Sequence, residues 1–166
     1  MIRLATFLLF ANLSVLADEF DWQTKVVKEG ISIAVRQVDH SPYQEFRASV
    51  ELRTTAAAAV ALLQDNAACP FWVHRCVTSE VVQTVNETER YFYQVTSLPF
   101  PARSRDAVFH GSIEFDANQE ITITLTSAHD RLPITKHIRI TETHGFYHIQ
   151  PTGSDSIRLT WQFFVD

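Results

Sequence analysis

The second half of this chain contains histidine and glutamate residues that could ligate a metal ion or act as a general base. Five of the seven histidines lie there: His110, His129, His137, His144 and His148. Glu142, His144 and His148 could share one strand face, and zinc accepts imidazole and carboxylate ligands. Their spacing is not that of a known ligand set, and Gly145 is expected to introduce a bulge that reverses the facing of the strand. We therefore predict no metal site and interpret these histidines as solvated or hydrogen-bonded.

The sequence contains no recognisable catalytic nucleophile. There is no Gly-x-Ser-x-Gly turn, and neither cysteine lies in the context of a known catalytic family. The neighbouring pairs Arg105-Asp106 and Asp130-Arg131 are interpreted as structural ion pairs, since acid–base catalysis needs a perturbed pKa that a sequence does not reveal. We predict that the protein is not an enzyme and needs no cofactor.

Cys69 and Cys76 are the only cysteines. Export would place them in an oxidising compartment, where a disulfide can persist. Spacing alone leaves open whether they form a bridge or are two small buried apolar side chains, because a bridge needs Cα atoms within about 7 Å. With His74 they would make an incomplete zinc site, so metal is the weakest interpretation.

The first seventeen residues have the pattern of a secretory signal peptide. Arg3 supplies a positive start, residues 4–10 are almost all apolar, and residues 15–17 offer a cleavage site. A retained membrane anchor is the alternative, but the apolar run is shorter than the roughly 20 residues that a spanning helix needs. We expect residues 1–17 to be removed, leaving residues 18–166 as one exported domain, periplasmic or secreted.

Composition restricts the partners of that domain. The formal net charge is −5 at pH 7, and the Lys and Arg residues are scattered along the chain. Nucleic acid is not an expected partner, because phosphate recognition needs a basic stripe. An anionic membrane surface is not favoured by this balance either, whereas neutral or zwitterionic lipids are compatible with it.

Alternation of apolar and polar residues predicts the elements that position these side chains. Ile121, Ile123 and Leu125 alternate with threonines and mark the clearest strand. Nine strands are predicted in all: 25–28, 31–38, 44–54, 77–85, 90–97, 105–115, 120–127, 137–149 and 157–165. One helix is predicted over 56–63, because alanine is the best helix former and Thr54 or Thr55 can cap it. Short turns between consecutive strands indicate a curved antiparallel sheet.

Residues 91–116 join two aromatic-rich strands through a corner that no helix could cross. Pro99 and Pro101 bracket Phe100 and force the preceding residues into extended conformations. Arg105-Asp106 begins the next strand, and an Arg/Asp pair there is expected to fix the corner by charge-assisted hydrogen bonds.

This corner is one of three motifs that follow each other in a recognisable order. Phe46-Arg47-Ala48 comes first, and Trp72 with Cys76 comes second. In this order the motifs resemble the START lipid-transfer family, within the Bet v 1-like helix-grip superfamily. The resemblance covers the chain from the Trp22 region to Asp166.

The resemblance implies an α+β helix-grip fold: a curved antiparallel sheet of about seven to nine strands with a short helical segment near 55–72. START-like domains end in a long amphipathic helix that closes an apolar tunnel, whereas this sequence stops at Val165-Asp166, the end of a predicted strand. We therefore expect residues 18–166 to be a START-like lipid-binding domain truncated at its C-terminus. An open grip, or a grip closed by a partner chain, is the alternative.

Binding of a lipid, a sterol or another hydrophobic small molecule is the function that the resemblance implies. Transfer of that ligand and transient membrane contact would follow, and the oligomeric state is left open. An ordinary aromatic core is the alternative for each wall residue. Six residues are predicted to line the cavity: Trp72, Tyr93, Phe109, Phe115, Trp161 and Phe163. The rival functions are a cyclase or hydrolase with Glu142 or a histidine as general base, and a module that receives another chain in its open grip.

Overall fold

The computed structural model describes residues 21–39 and 41–166, so the predicted signal peptide lies outside the described residues. Ten strands in this part of the chain form one sheet. They are β1 Gln23–Lys28, β2 Ile31–Gln37, β3 Gln44–Leu52, β4 Cys76–Thr84, β5 Glu89–Thr96, β6 Arg105–Phe115, β7 Ile121–Ser127, β8 Ile138–Arg139, β9 Thr143–Pro151 and β10 Ile157–Val165. The helices described are α1 Ala56–Gln64 and α2 Cys69–Trp72, with 3₁₀ turns at Asn66–Ala68 and His129–Arg131.

The strands follow the order β1-β2-β3-β10-β9-β7-β6-β5-β4, and neighbours along this path are antiparallel. Pairing of β3 with β10 joins the first three strands to the rest of the sheet. The predicted curved antiparallel sheet with short helical segments is confirmed. Within the described residues, no helix is long and apolar enough to cross a membrane.

The strand count differs from the prediction because the segment predicted as one strand over 137–149 is two elements. Ile138 and Arg139 form β8, which pairs in parallel with Arg105 and Asp106 on β6. The chain then leaves β6, and β9 begins at Thr143 between β7 and β10. Alternation persists through both elements, so the pattern did not reveal that their pairing partners differ.

The bulge predicted at Gly145 is wrong. Strand β9 pairs with β10 without interruption from Thr143 opposite Val165 to Pro151 opposite Ile157. Glycine is required there for a different reason: a Cβ at this position would overlap the Phe163 ring and the Gln162 carbonyl oxygen on β10. The absence of a side chain therefore allows close approach rather than a change of facing.

The ion pair predicted between Arg105 and Asp106 is also wrong, because successive strand residues point to opposite faces. Asp106 binds Arg139 on β8, with Oδ1 to Nε at 3.0 Å and Oδ2 to Nη2 at 3.1 Å. Arg105 instead donates from Nη1 to the Arg103 carbonyl at 2.8 Å. Arg131 likewise lies over the Tyr91 ring, 4.0 Å from its centroid, and donates from Nη1 to Gln83 Oε1 at 3.4 Å. Within the described residues it forms no ion pair with Asp130.

Helix α1 lies against one part of the sheet. Thr55 caps it, accepting a hydrogen bond from the Ala58 amide at 3.2 Å, as the sequence predicted. No residue of α1 is fully buried, but Val60, Leu63 and two alanines pack against buried isoleucines of the sheet. Those isoleucines are Ile121, Ile123, Ile149 and Ile157. The helix therefore covers only part of this sheet face.

A disulfide fixes α2 beside the sheet. Cys69 at the start of α2 and Cys76 at the start of β4 are joined with an S–S distance of 2.09 Å and a Cα–Cα distance of 6.0 Å. Both residues are buried. The bridge thus holds the segment between them, which includes Trp72, against the edge strand.

Candidate functional site

An open cavity of about 690 Å³ lies between the sheet and the helical segment. We call the sheet face that lines it the inner face and the opposite one the outer face. Strands β3, β10, β9, β7, β6 and β5 supply the wall, and residues 63–66 and 72–74 supply the helical side. The hairpin of residues 84–90 forms part of the rim. Cavities of this size are typical of small-molecule sites.

Strand periodicity explains why the lining is apolar. Residues two apart on a strand share a face, so Leu159, Trp161 and Phe163 on β10 all reach the cavity. The same rule brings Ile123 and Leu125 of β7 to it. Polar residues of these strands, such as the threonines of β7, face outward.

Aromatic rings organise the wall at β9 and β10. Trp161 stacks on Tyr147 with centroids 5.6 Å apart and an interplanar angle of 10°. Phe46 meets the same indole edge to face at 4.6 Å. The centroid of Phe163 lies 6.2 Å from that of Trp161 and 6.1 Å from that of Phe109, and the Phe109 centroid lies 5.0 Å from that of Phe92. These contacts make a continuous aromatic surface.

Four of the six predicted wall residues line the cavity, and two do not. Trp72, Phe109, Trp161 and Phe163 are lining residues, although their contact with a ligand stays a prediction. Tyr93 lies on the outer face, where its hydroxyl donates to Asp106 Oδ2 at 3.1 Å. Phe115 is 64% exposed at the end of β6, beyond the cavity.

The error at Tyr93 came from the choice of face on β5. Both faces of this strand carry aromatic rings, so the alternation of side chains does not show which face lines the cavity. The register decides: Phe92 is opposite Phe109, whereas Tyr93 is opposite Val108. Opposed residues in an antiparallel pair share a face, which puts Phe92 on the wall instead.

Sequence reasoning also missed several lining residues besides Phe92. Tyr147 was missed because a bulge was assumed at Gly145. Without a bulge, simple alternation along β9 places Tyr147 on the inner face. Others include Leu63, Asn66, Val73, Ser79, Arg90, Gln94, Ile123 and Leu125. The period-two pattern of β7 was the available signal for Ile123 and Leu125.

A few polar groups interrupt the apolar lining. Burial raises the pKa of Tyr147 to about 12, so its hydroxyl is neutral near pH 7. Asn66 donates from Nδ2 to the Ser79 hydroxyl at 2.7 Å. Burial lowers the pKa of Arg90, which nevertheless stays protonated as arginines do in proteins.

The described residues contain no group of three or more His, Cys, Asp or Glu side chains that could hold a metal ion. His148 Nε2 lies 2.8 Å from Glu120 Oε2, and the His144 ring lies 5.2 Å from the ring of Phe164. Neither histidine is among the lining residues, and neither is Glu142. Glu142, His144 and His148 therefore do not reach the cavity, whereas His74 lies among its lining residues.

Comparison with known proteins agrees with this architecture. A family model described as START domain matches residues 10–166. The crystal structure of a STAR-related lipid transfer protein from Xanthomonas axonopodis is 32% identical, with a TM-score of 0.83 over 88% of this chain and 82% of that one.

Two more distant relatives extend the comparison. Human StAR-related lipid transfer protein 5 has the same fold, with 16% identity and a TM-score of 0.75 over 92% of this chain and 79% of that one. An uncharacterised protein from Pseudomonas aeruginosa is 24% identical over 86% of this chain and 70% of its own length. The two solved structures show that this fold occurs in a bacterial and a human protein.

Proposed function

This chain belongs to the START domain family, and from that premise we propose that it binds a hydrophobic small molecule, such as a lipid or a sterol, on the inner face of the sheet. One observation carries the proposal: an aromatic and aliphatic wall surrounds an open volume of about 690 Å³ instead of closing into a solid core. The similar protein from Xanthomonas axonopodis, described as a lipid transfer protein, supports the same ligand class.

Apolar contact supplies enough free energy for such binding. Burying one methylene group is worth about 0.8 kcal/mol, so ten would contribute about 8 kcal/mol before the cost of association is subtracted. This driving force needs no catalytic residue. We propose a binding rather than an enzymatic role, since Glu142 and His144 lie away from the cavity and a general base must reach its substrate.

Extraction of the purified protein with organic solvent, followed by mass spectrometry, tests the proposal. The expected result is about one lipid released per chain, or saturable binding of a lipid by chain that was purified empty. Leu159→Glu should weaken binding at least tenfold, because it places a charge on the inner face. Thr160→Glu is the matched control, since it adds the same charge to the outer face of the same strand. An empty protein that ignores a lipid panel would contradict the proposal.

Transfer and export are further parts of the proposal. The Cys69–Cys76 bridge suits an oxidising compartment, which supports removal of residues 1–17 and a periplasmic or secreted domain. Envelope fractionation with intact-mass measurement of the expressed full chain should find a protein that begins at Asp18 and has no free thiol. Full-length chain retained in the cytoplasm would contradict export.

A further inference from the structure

Arg90 is a cationic side chain on a mainly apolar wall, whose rim also carries Glu87 and Glu89. It shares the inner face of β5 with Phe92 and Gln94 and lies at the rim of the cavity. Its cross-strand neighbours are Gly111 on β6 and Thr84 on β4. Neither neighbour carries a charge, so the side chains opposite Arg90 cannot neutralise its guanidinium.

The Arg90 guanidinium also has no hydrogen bond or ion pair with any residue that the structure describes. The adjacent carboxylate is engaged elsewhere: Glu89 binds His110 Nε2 at 2.6 Å and Asn86 Nδ2 at 3.2 Å. Burial lowers the pKa of Arg90, and no carboxylate opposes that effect. A partly buried cation without a counter-charge is destabilised, and an anion supplied by a ligand would relieve this.

We propose that Arg90 anchors the anionic head group of an amphipathic ligand whose hydrocarbon tail lies along the inner face. A guanidinium binds carboxylate and phosphate through paired, charge-assisted hydrogen bonds. The rings of Phe92 and Phe109 continue the wall inward from Arg90 and contact each other at 5.0 Å. The inference rests on the proposed function and narrows its ligand to a fatty-acid-like or phospholipid-like molecule in preference to a neutral sterol.

Displacement of an apolar fluorescent dye by decanoate, decyl phosphate and 1-decanol tests the inference, because these probes share a tail and differ in the head group. The natural chain should bind the two anions more tightly than the alcohol. Arg90→Gln should weaken anion binding about tenfold and leave 1-decanol binding unchanged. Arg90→Lys keeps the charge and should retain part of the preference. Arg158→Gln removes a cation from the exposed pair with Glu51 and is the control for net charge.

The outcomes separate the two proposals. Equal anion binding by Arg90→Gln and the natural chain would overturn the anchor while 1-decanol binding still supported a hydrophobic ligand. Failure of all three probes to displace the dye from the natural chain would instead contradict the proposed function. A loss in Arg90→Gln confined to decyl phosphate would assign the head group to phosphate, and a loss confined to decanoate would assign it to carboxylate. Thermal unfolding of each variant establishes that the comparison is made between folded proteins.

Discussion

At the residue scale, Asp106 is a buried carboxylate that holds several segments of the chain together. It is 1% exposed and receives hydrogen bonds from Arg139, Thr135 and Tyr93. Arg139 also donates to the carbonyl oxygens of His129, Leu132 and Pro133. The pair therefore fixes the segment between β7 and β8 against the outer face.

Asp106→Asn should lower the free energy of unfolding by about 3 kcal/mol, because it leaves the Arg139 charge buried without its counter-charge. Urea denaturation measures the effect. Glu51→Gln is the matched control, since it breaks an exposed pair with Arg158 and should cost less than about 1 kcal/mol. Similar losses in the two variants would contradict the special role of Asp106.

The ionisation of Asp106 should also make the stability of the fold depend on pH. Burial alone would raise the pKa of Asp106, but hydrogen bonds from Arg139, Thr135 and Tyr93 outweigh it and lower that pKa below its ordinary value. The stabilisation is therefore fully present above the ordinary carboxyl pKa of about 4 and is lost as the pH falls through the lowered value of the folded state. Asp106→Asn should reduce the loss of stability in that acid range relative to the natural chain.

At the element scale, close approach of β9 and β10 makes Gly145 necessary. Gly145→Ala should destabilise the fold by about 3 kcal/mol, because the added Cβ would overlap Phe163 and the Gln162 carbonyl in the middle of the sheet. Gly111→Ala is the control on β6, where the new Cβ would meet Leu125 at an ordinary 3.4 Å and should cost less than about 1 kcal/mol. Thermal or urea unfolding of both variants measures the difference. Equal stability of the two would show that the strands separate easily at Gly145.

The α2 segment depends on its disulfide. Replacing Cys69 and Cys76 together with serine should lower the free energy of unfolding by about 2.5 kcal/mol, because the bridge closes a loop with a sequence separation of 7 residues. Amide hydrogen exchange should also become faster around Trp72, since α2 buries no side chain other than Cys69. Unchanged stability together with unchanged exchange would show that packing alone holds this segment.

The elements also show how far sequence patterns reach. Strands β6 and β10 begin and end where alternation placed them, at 105–115 and 157–165, because each is long and pairs along its whole length. The prediction of one strand over 137–149 was wrong, because Arg139 binds Asp106, a residue distant in sequence, and so pairs the start of this segment with β6. A local sequence pattern predicts that a segment is a strand. Contacts between residues distant in sequence decide which strand it pairs with.

At the scale of the whole molecule, the order of three motifs was sufficient to predict the family and the fold. The cavity was only partly predictable. The inner face of β10 could be read from its alternation, but β5 has aromatic rings on both faces and needed its register with β6. The open volume itself depends on the curvature of the sheet and on the position of α1 and α2, and neither follows from the periodicity of any single strand.

Two adjacent loops give the molecule a surface suited to transient membrane contact, which we propose as part of its function. Phe100 is 97% exposed and Ile134 is 84% exposed. Arg103 joins their loops by donating from Nη2 to the Lys136 carbonyl at 2.7 Å, and the Ile138 amide donates to the Ser104 carbonyl at 3.1 Å. Arg103 and Lys136 therefore belong to the same pair of loops as these exposed apolar residues, although the chain as a whole is acidic.

Vesicle flotation should reveal this contact. Phe100→Ser should reduce the vesicle-bound fraction several-fold, because burying a phenylalanine side chain is worth roughly 1.5–3 kcal/mol. Val27→Ser, which removes a 75% exposed apolar side chain from β1, is the matched control and should leave binding unchanged. Vesicles of phosphatidylcholine with phosphatidylglycerol should bind more protein than phosphatidylcholine alone, since the neighbouring cations favour an anionic surface. Equal flotation of the natural chain and Phe100→Ser would show that the membrane meets another part of the molecule.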